Sequence, residues 1–179
     1  MEPYRILEEH AVYFVTFTVV EWLPVFVGEE PCQIVVESLN YCHRERALRT
    51  NAYVIMPSHL HAVFFDAGMD AQRLAETITA LRKHTGRQLS EYITNRLPAF
   101  DRILRASAAG DRQRHFWQES RHPEAIYTPE FWRQKVEYLH LNPCKSGLVR
   151  RPEDWRYSSA AWWMGLPSES DVILTPLEG

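Results

Sequence analysis

The chain predicts an α+β fold: a split βαβ antiparallel sheet of the ferredoxin-like (RRM-like) kind, helices on one side, followed by a further helix and a Trp-rich end. Three observations carry this. Strand-like and helix-like stretches follow the order strand, helix, strand, strand, helix, strand from His10 to Gln118, the split βαβ order. The strand-like stretches are dense in Val, Tyr, Phe and Thr, whereas the helical ones repeat apolar residues every three or four positions. A separate helix start then stands at Thr128-Pro129-Glu130, with an N-cap hydroxyl, a first-turn proline and an acid at the positive end of the dipole.

Taken in order, His10 to Val20 is the first strand, and Glu21 to Glu30, with Pro24 and Gly28, is a connection. Ile34, Val35, Leu39 and Cys42 recur at helical spacing behind Pro31, giving a first helix that ends near Arg46. Asn51 to Phe65 supplies two strands joined at Pro57-Ser58. Asp70 caps a second helix with Leu74, Ile78 and Leu81 in one stripe, whose end is blurred by Gly86 before Leu89 and Ile93. Asn95 to Arg112 shows little periodicity and reads as a long loop, and His115 to Gln118 as the fourth strand. The last helix carries a packing stripe of Trp132, Val136 and Leu139 and is expected to stop at Asn142-Pro143. Residues 1–160 form one domain on this reading, and 161–179 a C-terminal extension.

With 179 residues and 45% hydrophobic content, the chain can bury a core without covalent staples. No apolar run reaches the roughly 18 residues of a membrane span. Met1-Glu2-Pro3-Tyr4 has no basic-then-apolar leader, and three cysteines without a Cys-x-x-Cys pair point to reduced thiols in a cytoplasm. The net charge of -3 conceals an asymmetry: residues 73–114 hold nine basic against four acidic residues, while 1–72 hold four against ten. Only the middle segment suits a polyanion, through Arg73, Arg82, Lys83, Arg87, Arg112 and Arg114; a solvated helix face and a polar loop would account for the same charges.

The chemistry concentrates at His59-Leu60-His61. Side chains two apart on a strand leave one face, so both imidazoles can address one ion while Leu60 turns inward. Such a pair is as often structural as ligating, and a catalytic metal usually takes a third protein ligand. Tyr138 and Asn142, four apart, stack on one helix face, where Asn142 could offer a carbonyl oxygen and Tyr138 a phenol. A phenol needs its oxyanion stabilised or its target polarised before it attacks. A cation on the histidines could polarise a phosphoryl group, with Lys135 one turn back to assist. Tyr138 lies about 120° from the apolar stripe, and an ordinary half-buried tyrosine fits the same position. His140 faces away and reads as a surface residue, and Trp155, Trp162 and Trp163 as docking residues.

Met56-Pro57-Ser58-His59-Leu60-His61 resembles the His-hydrophobic-His (HUH) motif of single-tyrosine transposases. The string Tyr138-Leu139-His140-Leu141-Asn142-Pro143, then Gly147-Leu148-Val149, then Trp155-Arg156-Tyr157-Ser158-Ser159, is similar to the branch called REP-associated tyrosine transposases. Two features depart from that pattern: the family often has Asn where Ser58 stands, and the segment from Leu97 to Arg112 is longer. The resemblance implies a bacterial, nucleoid-associated enzyme that cuts single-stranded DNA at hairpins of repeated extragenic palindromes. It implies Mg2+ or Mn2+ held by His59, His61 and Asn142, and Tyr138 as the nucleophile forming a 5'-phosphotyrosine link. It favours a monomer over a dimer. The alternatives are a hairpin-binding protein of this fold that no longer cleaves and, less favoured, an RNA-binding module, since the paired aromatics of such sheets are not placed.

Overall fold

The computed structural model describes residues 11–108, 115–119, 123–166 and 169–177. Its elements are β1 (Val12–Thr18), α1 (Glu29–Glu45), β2 (Leu48–Met56), β3 (His59–Asp66), α2 (Ala71–Arg96), α3 (Pro98–Ser107), β4 (Glu124–Ala125), α4 (Pro129–Lys145) and α5 (Ala160–Trp163). The sheet is antiparallel in the order β2-β3-β1-β4, so the α+β class and the split βαβ order stand. Strand alternation divides the core in two. Tyr13, Val15, Phe17, Tyr53, Ile55, Leu60, Ala62 and Phe64 pack against the apolar stripes of α1 and α2. Val12, Phe14, Val54, Met56, Val63 and Phe65 pack on the opposite face against Val136 and Leu139 of α4. Helices on both faces explain why β2 and β3 are apolar almost throughout instead of alternating.

Asp70 caps α2 by accepting from the Arg73 N–H at 2.9 Å, and the helix runs unbroken through Gly86 to Arg96. Three expectations are corrected. The loop assigned to Asn95 to Arg112 holds the end of α2 and then α3. Pro98 occupies the first turn of α3, Asp101 pairs with Arg105 at 2.6 Å, and Leu104 is buried. Pro98, taken as a breaker, is a starter. His115 to Gln118 is not a strand, although Trp117 bridges to Val19. Its consecutive rings Phe116 and Trp117 enter the same core cluster, which successive strand residues cannot do; β4 is instead the two-residue pairing of Glu124 and Ala125 with β1. Third, α4 does not stop at Pro143 but carries it in its last turn. The Gly147 N–H reaches the Cys144 carbonyl at 3.0 Å and the Leu148 N–H the Pro143 carbonyl at 2.9 Å, with Gly147 at φ 71°. That is a Schellman end, whose left-handed residue favours glycine.

The end of the chain is part of the same core. The Ser159 N–H donates to the Tyr53 carbonyl and the Ile55 N–H to the Tyr157 carbonyl, while Leu174 bridges to Thr50. The outer edge of β2 is thereby covered, as an open strand edge requires. Trp155 Nε1–H donates to the Ile55 carbonyl at 2.9 Å and Trp163 Nε1–H to the Asn51 carbonyl at 3.1 Å, the docking role expected of them. Val172 is buried in the α1/α2 core and Leu174 packs against it. No helix among the described residues is long and apolar enough to cross a membrane.

The turn from β3 into α2 depends on Asp66, whose side chain is 1% exposed. It accepts from Arg73 Nε at 2.7 Å and from the Gly68 and Asp70 N–H groups. Burial opposes its ionisation, but the Arg73 guanidinium and the two N–H groups outweigh it and hold the carboxyl below its ordinary range. Stability from a lowered carboxyl is fully present above the unfolded value of about 3.9 and is lost as pH falls through the lower folded value. Asp66→Asn should cost about 1–3 kcal/mol at pH 7 in urea titrations. The difference from the parent should shrink when the titration is repeated near pH 3.

Candidate active site

The strand register builds the floor of the site. Thr18 lies opposite His59 and Thr16 opposite His61, all directed to the α4 face together with Phe14. Thr16 Oγ1 is 2.8 Å from His61 Nδ1, and Ser58 Oγ is 3.2 Å from His59 Nδ1. The tautomer that donates from Nδ1 leaves Nε2 of each ring as the free lone pair. The ring centroids are 4.7 Å apart. His61 is 6% exposed; burial, then His59 and Lys135, push its pKa down to about 3. Burial also lowers His59. Both rings are neutral at physiological pH, the state in which imidazole binds metal.

The wall is α4, seated through Val136, Leu139 and Pro143 and pinned where Trp132 Nε1–H donates to Asn51 Oδ1 at 2.7 Å. The flank carrying Tyr138 then overhangs the histidines. The Tyr138 ring lies 5.3 Å from His61 and 6.1 Å from Phe14, centroid to centroid, and the residue stays 43% exposed. Tyrosine and histidines come from one chain. Asn142, one turn on, lines the same cavity of about 620 Å³, with Thr16, Thr18, Gln118, Glu119, Glu124 and Gln134. Lys135 is there too, but its ammonium is held by Glu124 at 2.6 Å and rests over Phe14 at 4.8 Å.

Among the described residues, no group of three or more His, Cys, Asp or Glu converges. A cation would therefore take the two imidazoles and complete its shell with an amide oxygen, water or substrate oxygens. That mixed nitrogen and oxygen set, with two neutral rings already oriented by hydroxyls, fits a divalent ion.

Of the basic residues expected to meet DNA, Arg73, Arg82, Lys83 and Arg87 do not line this cavity. Arg73 is committed to Asp66, and Arg82 donates to the Gln118 carbonyl. Lys83 and Arg87 are exposed on α2, which packs on the sheet face away from the histidines. Arg112 and Arg114 lie outside the described residues. His140 is not a surface residue: its Nε2 is 2.7 Å from Ser159 Oγ, and burial pushes its pKa down to about 4. Two contributors were missed. Lys145 Nζ lies 5.8 Å from the Tyr138 ring, and its signal was spacing, two turns beyond Tyr138. Trp22 meets His59 edge to face at 5.7 Å. It follows Glu21 in a one-turn 3-10 helix where both residues have φ 55°, a left-handed conformation costing roughly 1–2 kcal/mol per non-glycine residue; no local pattern announced it.

No family model matches the chain. A REP-associated tyrosine transposase of Escherichia coli K12 is 24% identical over 116 residues, 65% of this chain and 56% of that protein, so the match spans little more than half of the relative. The solved structure of a REP-associated tyrosine transposase bound to a REP hairpin superposes with a TM-score of 0.64 at 17% identity, covering 100% of this chain and 94% of that one. At that identity the likeness is one of fold. The resemblance first carried by the His-Leu-His and Tyr138-to-Ser159 motifs therefore holds in both respects: the chain is similar in sequence and in fold to the REP-associated tyrosine transposases.

Proposed function

We propose that the chain is a metal-dependent single-stranded DNA endonuclease and strand transferase that acts on hairpin DNA through Tyr138. The observation that supports it most is the 5.3 Å approach of the Tyr138 ring to His61 inside one chain, over an open cavity. The relative solved with a REP hairpin supports the same class of ligand. The Tyr138 hydroxyl gives up its proton and its oxygen attacks the scissile phosphorus. The Oη–P bond forms as the P–O3' bond breaks, and the departing 3'-oxygen takes up a proton. A 5'-phosphotyrosine link results, and the reverse steps rejoin the strand without a nucleotide cofactor.

Lys145 places its ammonium 5.8 Å from the centre of the Tyr138 ring, on the nucleophile's side of the site. Glu124 holds Lys135 near the phosphate site. His59 and His61, with Asn142, would bind Mg2+ or Mn2+, which supplies Lewis-acid polarisation of a phosphoryl oxygen. Thr16 and Ser58 keep the two imidazoles turned for that role.

With Mn2+ and a palindrome hairpin oligonucleotide carrying a single-stranded flank, the protein should give a denaturant-resistant protein-DNA adduct. Tyr138→Phe should abolish it, and His59→Ala and His61→Ala should each reduce it to background. Hairpin binding with no adduct under Mg2+ or Mn2+ would mark a binding protein instead and sink the strand-transfer reading. Thr16→Val should weaken Mn2+ affinity about 10- to 100-fold in an EPR titration while leaving the melting profile nearly unchanged; unaltered affinity would remove the hydroxyl from the ligand-orienting role.

A further inference from the structure

The bend after β1 holds its largest apolar side chain in solvent. Leu23, Val25 and Phe26 turn inward and are buried, while Trp22 is 58% exposed. A lone exposed tryptophan is ordinary. Here the outward placement comes with left-handed backbone at both Glu21 and Trp22, a conformation that persists only where its surroundings impose it. The Val19 N–H donates to the Ser58 carbonyl, the Phe26 N–H to the Pro57 carbonyl and the Val20 N–H to the Phe116 carbonyl, each at 2.9 Å. The Ser107 hydroxyl adds a bond to the Glu21 carboxylate at 3.2 Å. Trp22 is therefore fixed to the same Pro57-Ser58 turn that carries His59.

Its position relative to the nucleophile is informative. Tyr138 touches Phe14 and His61, whereas Trp22 touches His59, whose cross-strand neighbour Thr18 lies at the far end of β1 from Phe14. The two aromatic residues flank the imidazole pair, one at each end along the strands, and both line the cavity. Displacement at phosphorus proceeds with the entering and leaving oxygens roughly in line. A phosphate over the imidazoles, entered from the Tyr138 end, must expel its 3'-oxygen toward the Trp22 end.

We propose that Trp22 is a stacking platform for the base immediately 5' of the scissile phosphate, the one whose 3'-oxygen leaves. The assignment rests on the strand-transfer reading and adds a base-binding subsite to it. The subsite is tolerant of base identity, because every base offers a π-face to an indole. It also retains the nucleotide bearing the freed 3'-hydroxyl, as rejoining requires.

The test starts by mapping the scissile bond from the wild-type adduct. Trp22→Ala should then lower kcat/KM for adduct formation about 5- to 150-fold, with Trp22→Phe recovering most of the loss. An abasic residue 5' of the scissile phosphate should impose a similar penalty on the wild type and none on Trp22→Ala. An abasic residue 3' of it should leave the Trp22→Ala penalty intact. In a Tyr138→Phe background, 2-aminopurine at the 5' position should be quenched on binding, and Trp22→Ala should relieve the quenching. Wild-type kinetics from a folded Trp22→Ala protein, or additive penalties from variant and 5' abasic site, would overturn the subsite while leaving strand transfer standing. Absence of any wild-type adduct would overturn both.

Discussion

The register between β1 and β3 is the constraint on which the site depends. Pairing Thr16 with His61 and Thr18 with His59 sets hydroxyls beside imidazoles on one face and sends Phe17 and Leu60 to the other. A slip of one residue would exchange the faces, putting two imidazoles among leucines and phenylalanines and Leu60 into the cavity. What prevents this is the burial of Tyr13, Val15, Phe17, Leu60, Ala62 and Phe64 against α1 and α2. At roughly 1.5–3 kcal/mol for each large apolar side chain, the inner face outweighs anything the polar face could gain by moving. The apolar core on one side of the sheet thus fixes the chemistry on the other.

The second requirement is a helix that covers that face without closing it. The α4 stripe packs against Val12, Val54, Met56, Val63 and Phe65, leaving Tyr138, Asn142 and Lys145 on a flank that looks over the histidines. The two helical residues beyond Pro143 matter, because they bring Lys145 to the tyrosine. Pro143 forgoes the bond its N–H would make to the Leu139 carbonyl, a loss confined to the end of the helix, and the Schellman bonds satisfy the Pro143 and Cys144 carbonyls. The Gly147-Leu148 pair, which looked like an unexplained family signature, is the physical means of ending this helix.

What could be read from the sequence was what is local. The Val, Tyr, Phe and Thr density of β1, the caps at Asp70 and Thr128, and the two-residue spacing of the histidines each fix a geometry within a few residues, and each reappears in the structure. What could not be read depends on partners distant in the chain. Nothing near Ser159 indicates that it meets both Tyr53 and His140. The split of the fourth strand came from two adjacent rings, Phe116 and Trp117, choosing one core. The partners of the basic stretch of α2 were hidden for a similar reason. Charge is visible in sequence, but its commitment to Asp66 and to the Gln118 carbonyl, and its place behind the sheet, are tertiary facts.

That displacement of charge bears on how a phosphate could be held at all. Around the cavity, Glu124 offsets Lys135, Glu119 adds a further acid, and burial disfavours the cationic form of both imidazoles. Among the described residues, Lys145 sets its charge beside the Tyr138 ring against those carboxylates. On the proposed reading, positive charge at the phosphate therefore arrives with the divalent cation, so DNA and metal occupy the site cooperatively, each raising the affinity of the other as linkage demands. On the same reading, the aromatic surface at the rim adds an uncharged hold on the strand: Trp22 at one end of the histidine pair and the exposed Tyr138 at the other. On the proposed reading, a site built this way suits an unpaired, flexible strand that can present a base to an indole. It gives little to a stacked duplex, whose bases are already occupied with one another.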